Sequence, residues 1–199
     1  MTETEPESAV DLELVRLAQQ GDHDAFGQLV ERNRRAVFRA AYAALGSAAE
    51  ADDVVQDAFI SAYRNLGSFR SQSSFKTWLL SIAWRKALDR RKMLSRWLRM
   101  TVAHAESFDG SPDVLERLPS TRPSHDERLA GNELRRVLKR LIASLPRKLR
   151  DTLLLAGSGD YSYDEIAAML GIPPGTVKWR VSEARRVLKQ KLAAQGFLV

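Results

Sequence analysis

The stretch Ser162 to Arg186, SYDEIAAMLGIPPGTVKWRVSEARR, allows few folds. Ser162 and Glu165 stand in the S-x-x-E pattern that satisfies backbone donors at a helix start. Ile166, Ala167 and Leu170 supply the apolar face of a short helix, and Gly171 follows where the chain must turn. Pro173-Pro174 restart the chain, with Pro174 suited to a first helical position. Ala167, Gly171 and Val177 fall at helix-turn-helix spacing: a small residue where the helices approach, a glycine in the turn, an apolar residue locking the second helix. Thr176, Lys178, Trp179, Arg180 and Ser182 are then expected to face outward, where a major groove would be read. A plain helical hairpin with a solvated basic face is the competing reading.

Composition narrows the class. A chain of 199 residues can bury one or two small cores, and its 28% charged and 44% hydrophobic residues suit a soluble globular protein. The formal net charge of +6 favours a polyanionic partner. The chain has no cysteine, which excludes disulfides, cysteine zinc sites and a thiol nucleophile. Its first ten residues are acidic and contain proline, unlike a signal or transit peptide, and no apolar run approaches the ~20 residues that span a bilayer. A cytoplasmic protein without membrane insertion is expected.

Helical periodicity dominates, and strand signals are nearly absent. A disordered acidic tail is expected over 1–10 and a short helix from Asp11 to Gln20, ended by Gly21. A longer helix follows from Asp24 to Leu45, with Phe26, Leu29, Val30, Val37, Phe38, Ala41 and Leu45 available for a core. Ser47 and Glu50 repeat the capping pattern ahead of a helix running to about Leu66. Gly67 to Ser73 is a polar loop, and a fourth helix runs from about Ser74 to Met93. Residues 94–125 lose the period and carry prolines and serines, as a linker does. The period returns over 126–195, with Leu134, Val137, Leu138 and Leu141, then Leu149, Leu153 and Leu154, ahead of the helix-turn-helix. The expected fold class is all-α: two small helical domains joined by a flexible linker, the second a four-helix domain.

Two elements of the first half carry chemistry. In SFKTWLLSIAWRKALDRRK, Phe75, Leu79, Ile82, Ala83 and Leu88 can face a core. Lys76, Arg85, Lys86, Arg90, Arg91 and Lys92 supply charge, and Trp78 and Trp84 supply flat rings. Cations interleaved with aromatics suit unpaired bases, although a buried ring is the commoner fate of a tryptophan at helical spacing. The preceding helix sets Val55, Phe59, Ala62 and Leu66 on one stripe, and Asp52, Asp53, Gln56, Asp57 and Tyr63 on other faces. Such an acidic-apolar helix suits a basic protein surface better than DNA; a solvated exterior is the plainer alternative.

Together these residues resemble the extracytoplasmic-function (ECF, group IV) class of bacterial RNA polymerase sigma factors. The resemblance rests on AEADDVVQDAFISAYRNLGSFRSQSSFKTWLLSIAWRKALDRRK, on LIASLPRKLRDTLLL, and on YSYDEIAAMLGIPPGTVKWRVSEARRVLKQKL, in that order. It implies a first domain (11–93) that binds core RNA polymerase and the minus-ten element, a linker threading the RNA exit path, and a second domain (126–195) that binds the minus-thirty-five element. By the same resemblance Asp52, Asp53, Gln56, Asp57 and Phe59 meet the clamp helices of the polymerase's largest subunit. Phe69, Arg70, Lys76, Trp78, Arg85 and Lys86 meet minus-ten DNA, duplex or melted. Thr176, Lys178, Trp179, Arg180, Ser182, Glu183 and Arg186 meet minus-thirty-five DNA. An anti-sigma factor is the implied regulatory partner; no cofactor or metal is implied.

Three departures from the family pattern stand out. Trp84-Arg85 stand where Arg-Asn is common, Ala156 where an arginine is frequent, and Trp179 with Glu183 are unusual in a recognition helix. Glu183 could accept from a cytosine amino group, or pair with Arg180 or Arg186 and read nothing. Three other functions compete with promoter recognition. A stand-alone helix-turn-helix regulator would leave the first domain unexplained. A nuclease using Asp52, Asp53 and Asp57 as metal ligands lacks a supporting histidine or second carboxylate cluster. A sigma mimic that sequesters a regulator would not start transcription.

Overall fold

Every element among the residues described by the computed structural model, 5–102 and 136–196, is helical. These residues divide between two units, Met1–Val114 and Leu115–Val199. The first holds α1 (Glu5–Gln19), α2 (His23–Leu45), α3 (Ala48–Asn65), a 3-10 turn (Leu66–Ser68) and α4 (Phe75–Val102). The second holds α5, described over 136–143, then α6 (Arg147–Gly157), α7 (Tyr163–Leu170) and α8 (Pro174–Ala194). The all-helical, two-domain expectation agrees with this order. The expected linker from 103 onward and the start of the second domain, 126–135, lie outside the described residues, as do 1–4 of the expected tail.

Two boundaries differ from the sequence reading. Helix α1 begins at Glu5, inside the stretch read as a disordered tail. Pro6 and Glu7 follow Glu5, and both residue types are tolerated or favoured in a first helical turn, where missing N–H groups and negative charge cost least. Helix α4 continues past Met93 to Val102, because MLSRWLRMTV contains no breaker and is rich in helix-forming leucine, methionine and arginine.

In the first unit, α2, α3 and α4 pack on one another and α1 packs on α2. Alanine makes the close approach possible: Ala40, Ala41, Ala51, Ala58, Ala62, Ala83 and Ala87 are fully buried, with Leu29, Val37, Leu79 and Leu80 filling the gaps between backbones. Trp84 is the largest fully buried side chain. The core face of α4 is therefore Phe75, Leu79, Leu80, Ala83, Trp84 and Ala87; Ile82 and Leu88, expected there, are only half-buried. Asp11, 8% exposed, is held by Arg32 (Nε to Oδ1 2.7 Å), which ties α1 to α2. At the α2–α3 corner Gly46 adopts φ 69° and donates to Tyr42 O, a left-handed cap that glycine reaches without strain.

In the second unit Val137, Leu141, Leu145 and Leu149 meet Ala184, Leu188 and Leu192 of α8. Leu155, Ile166 and Val177 are fully buried nearer the helix-turn-helix. The box at α7 forms in full: Ser162 Oγ accepts from Glu165 N (3.2 Å), and Ser162 N donates to Glu165 Oε2 (2.8 Å). At its far end Gly171 (φ 65°) donates to Ala168 O and Ile172 N donates to Ala167 O, the paired bonds of a Schellman motif. Ser162→Ala should cost about 1 kcal/mol. The melting transition of this unit should then fall by about 4–8 °C, the shift a domain of this size shows per kcal/mol. A transition left within a degree of wild type in a thermal scan would contradict the role given to the cap.

The second expected box forms by half. Ser47 Oγ accepts from Glu50 N (3.5 Å), but the Glu50 carboxylate is taken by Arg90 of α4 instead of returning to the cap.

Candidate nucleic-acid and protein interfaces

The outward side of α3 carries Asp52, Asp53, Gln56 and Asp57, all exposed, with Ile60 at 50% exposure among them. Two acids are already engaged within the unit: Asp53 Oδ2 lies 3.3 Å from Arg90 Nη2, and Asp52 Oδ1 lies 3.8 Å from Arg34 Nη2. Phe59, expected on this surface, is buried (7% exposed) on the α3 stripe that faces the core. Ile60, one residue on, is the apolar group this face offers. The correction has a simple origin: Val55, Phe59, Ala62 and Leu66 share one stripe, and all four are buried.

Between α3 and α4 the chain makes a short, well-tied loop. Gln19 of α1 donates its amide to Leu66 O (2.9 Å) and Phe69 O (3.4 Å), latching the loop from outside. Ser74 Oγ accepts from Thr77 N (3.1 Å), capping α4. Phe69, expected to meet DNA, is buried (6%) and packs edge-on against Phe75 (86°) and at 5.2 Å from Trp78. Phe69 thus props the ring of Trp78, which is itself only half-buried.

Trp78 opens onto a pocket of about 420 Å³ lined by Ser61, Asn65, Ser68, Trp78, Ile82, Arg85 and Lys86. The lining joins apolar groups (Trp78, Ile82), small polar ones (Ser61, Asn65, Ser68) and two cations (Arg85, Lys86). The Asn65 amide nitrogen donates to Ser61 O (2.7 Å), and Arg85 Nε donates to Ser81 O (3.1 Å), so both side chains are positioned by their own helices. The structure brings together Trp78, Arg85 and Lys86 of the expected minus-ten set. Lys76 is half-buried near the start of α4, and Arg70 is exposed in the loop. Trp84 lies on the core face and does not line the pocket. Ile82, expected in the core, lines the pocket instead. Ser61, Asn65, Ser68 and the Gln19 latch are residues that the sequence does not single out. Their signal is faint: polar residues four apart near a helix end are commonplace.

On α8 the buried stripe is Val177, Val181, Ala184, Leu188 and Leu192. Lys178, Trp179, Ser182 and Arg186 are exposed opposite it, and Thr176, Arg180 and Glu183 sit half-buried along the edges. Arg185 and Lys189 extend the cationic face. Arg186 clasps Glu183 with two bonds, Nε to Oε2 at 2.8 Å and Nη2 to Oε1 at 2.6 Å. These hydrogen bonds hold the Glu183 carboxyl below the usual carboxylate range. A lowered pKa means the clasp is complete at neutral pH and is lost only as pH falls through that lowered value. Of the alternatives for Glu183, pairing with Arg186 is the one formed.

A helix-turn-helix with a basic exposed face, and a helical unit with a pocket lined by a tryptophan ring and two cations, are features that nucleic-acid-binding proteins share. Residues 29–97 match the Sigma-70 region 2 family and residues 135–188 match Sigma-70, region 4. The ECF RNA polymerase sigma-E factor of Escherichia coli K12 is 35% identical over 191 residues, covering 94% of this chain and 96% of that protein. CnrH, solved in complex with the cytosolic domain of CnrY, superposes with a TM-score of 0.63 at 29% identity, covering 93% of this chain and 98% of CnrH. The sigma factor RpoE of Bartonella quintana, solved with the anti-sigma factor NepR, gives 0.60 at 26% identity, covering 84% and 96%. The chain belongs to the ECF RNA polymerase sigma factors, the subunits that bind core RNA polymerase and direct promoter recognition, melting and initiation. No helix of the described residues is long and apolar enough to cross a membrane.

Proposed function

We propose that the two units divide promoter opening as follows. The exposed face of α3, with Asp52, Asp53, Gln56, Asp57 and Ile60, docks on a basic surface of core polymerase. The loop 67–73 and α4 meet the minus-ten element, and the pocket takes one unstacked base. Its ring stacks on Trp78 with Ile82 below, its edge meets the Asn65 amide oxygen and the serine hydroxyls, and its phosphates meet Arg85 and Lys86. Phe69 and Gln19 act indirectly, by holding the ring and the loop in place. The second unit lays α8 in the major groove of the minus-thirty-five element, where Lys178 and Arg180 hold phosphates and base edges. Thr176 and Ser182 offer short hydroxyls beside them. Binding should weaken steeply with added salt, as phosphate contacts do.

The pocket carries this reading. An aromatic ring, an amide and two cations line a space of about 420 Å³ that is open to solvent and roomy enough for a base. In a holoenzyme made with core polymerase, Trp78→Ala should leave the upstream element protected. It should reduce permanganate reactivity of thymines in the melted segment by about tenfold, within the range that stacking of one base on a ring supplies. Melting at the wild-type level would count against the pocket.

No step needs covalent chemistry by this chain, so we assign it no enzymatic activity. We place it in the cytoplasm, with core polymerase. An anti-sigma factor is the proposed regulator, supported by the Bartonella relative, which was solved with one.

A further inference from the structure

The outward stripe of α8 has an uneven profile over its first turns. Gly175 presents no side chain, and the space where its Cβ would sit is open. One turn on, Trp179 stands at 62% exposure, and one turn further Ser182 is short and exposed. The indole is therefore the one bulky group between two small ones, on the part of a recognition helix that reaches base edges. Lys178 flanks it. The carboxylate nearest to it along the helix, Glu183, has both oxygens bonded to Arg186.

An indole has an apolar face and a single N–H donor, with no acceptor. In the major groove, thymine offers a C5 methyl group beside an O4 acceptor; cytosine offers an amino donor in place of that acceptor and no methyl. Only thymine matches both properties of the ring. Resting on the assignment of α8 to the minus-thirty-five element, we propose that Trp179 sets the upstream specificity of this sigma factor by packing on the methyl group of a thymine. The Glu183–Arg186 clasp keeps the neighbouring carboxylate from selecting cytosine. The specificity is thus carried by an apolar contact, in a helix whose other exposed side chains are mostly cations and hydroxyls.

Uracil differs from thymine only in lacking the methyl group, which gives a direct test. Promoters used by the reconstituted holoenzyme are mapped first, and each thymine of the upstream element is then replaced by uracil. At one or two positions the wild-type holoenzyme should lose about fourfold in promoter affinity, the factor for burying one methyl group. Trp179→Ala should bind more weakly and should no longer distinguish thymine from uracil there, whereas Trp179→Phe should keep the distinction. Indifference of the wild type to every replacement would overturn the proposal, as would an unchanged thymine-to-uracil ratio in Trp179→Ala. Failure of the holoenzyme to start at any promoter would overturn the assignment of the helix itself, and the proposal with it.

Discussion

Replacing Trp84 with alanine should strongly destabilise the first unit while leaving the second intact. The indole is 1% exposed, at the centre of the α2–α3–α4 core, and α4 has no larger buried group to take its place. Removing a buried tryptophan side chain costs about 3–5 kcal/mol. A domain of this size is stable by only about 5–15 kcal/mol in total. Denaturant unfolding followed by circular dichroism should show one transition moved far down and the other unmoved. The indole Nε1, moreover, is buried with no hydrogen-bond partner among the described residues. Trp84→Phe removes that donor and leaves a smaller void, so it should be much milder than alanine. A phenylalanine variant as unstable as the alanine one would mean that the ring's volume is not what holds the unit together.

The second large effect is expected at the α3 surface proposed to dock on polymerase. Asp53→Arg is the obvious charge reversal, but Asp53 is paired with Arg90, so the new arginine would also repel α4 from within the unit. Asp57 is the cleaner probe: it is exposed on the same face, one helical turn along. Asp57→Arg should weaken binding to core polymerase by about a hundredfold, the scale of a like-charge contact made at an interface. Ile60→Arg should act in the same direction, through lost apolar contact. Ile60→Arg should leave the stability of the unit nearly unchanged, and Asp57→Arg should lower it only slightly, because the Asp57 charge acts on Arg90 more weakly than Glu50 and Asp53 do. Core-polymerase titrations indistinguishable from wild type for both variants would remove α3 from the docking surface.

The sequence made the helices, the two-domain division and the helix-turn-helix legible, because each rests on local chemistry. The Ser162–Glu165 box, Gly171 and the Val177–Val181 stripe are set within a turn or two of chain. Less legible was which of several apolar stripes on α4 meets the core. Trp84 and Leu80 went in, Ile82 lines the pocket, and Leu88 is half-buried, since three helices compete for one surface and periodicity does not rank them. The aromatics carry the same ambiguity: Phe59 and Phe69, expected on binding surfaces, are buried. Glu50 shows a local rule overridden by a tertiary one, its carboxylate drawn from its own helix cap to Arg90, forty positions away. The pocket was invisible because its walls come from two helices and the turn between them.

The most direct test of the account is transcription by core RNA polymerase with and without the full chain, on a library of promoter sequences with transcript starts mapped. New starts should appear only with the chain, each preceded by a shared upstream element and a shared minus-ten element at fixed spacing. They should disappear with Asp57→Arg and fall with Trp78→Ala. A chain that binds duplex DNA without polymerase at a palindromic site, and leaves the starts made by core polymerase unchanged, would contradict it.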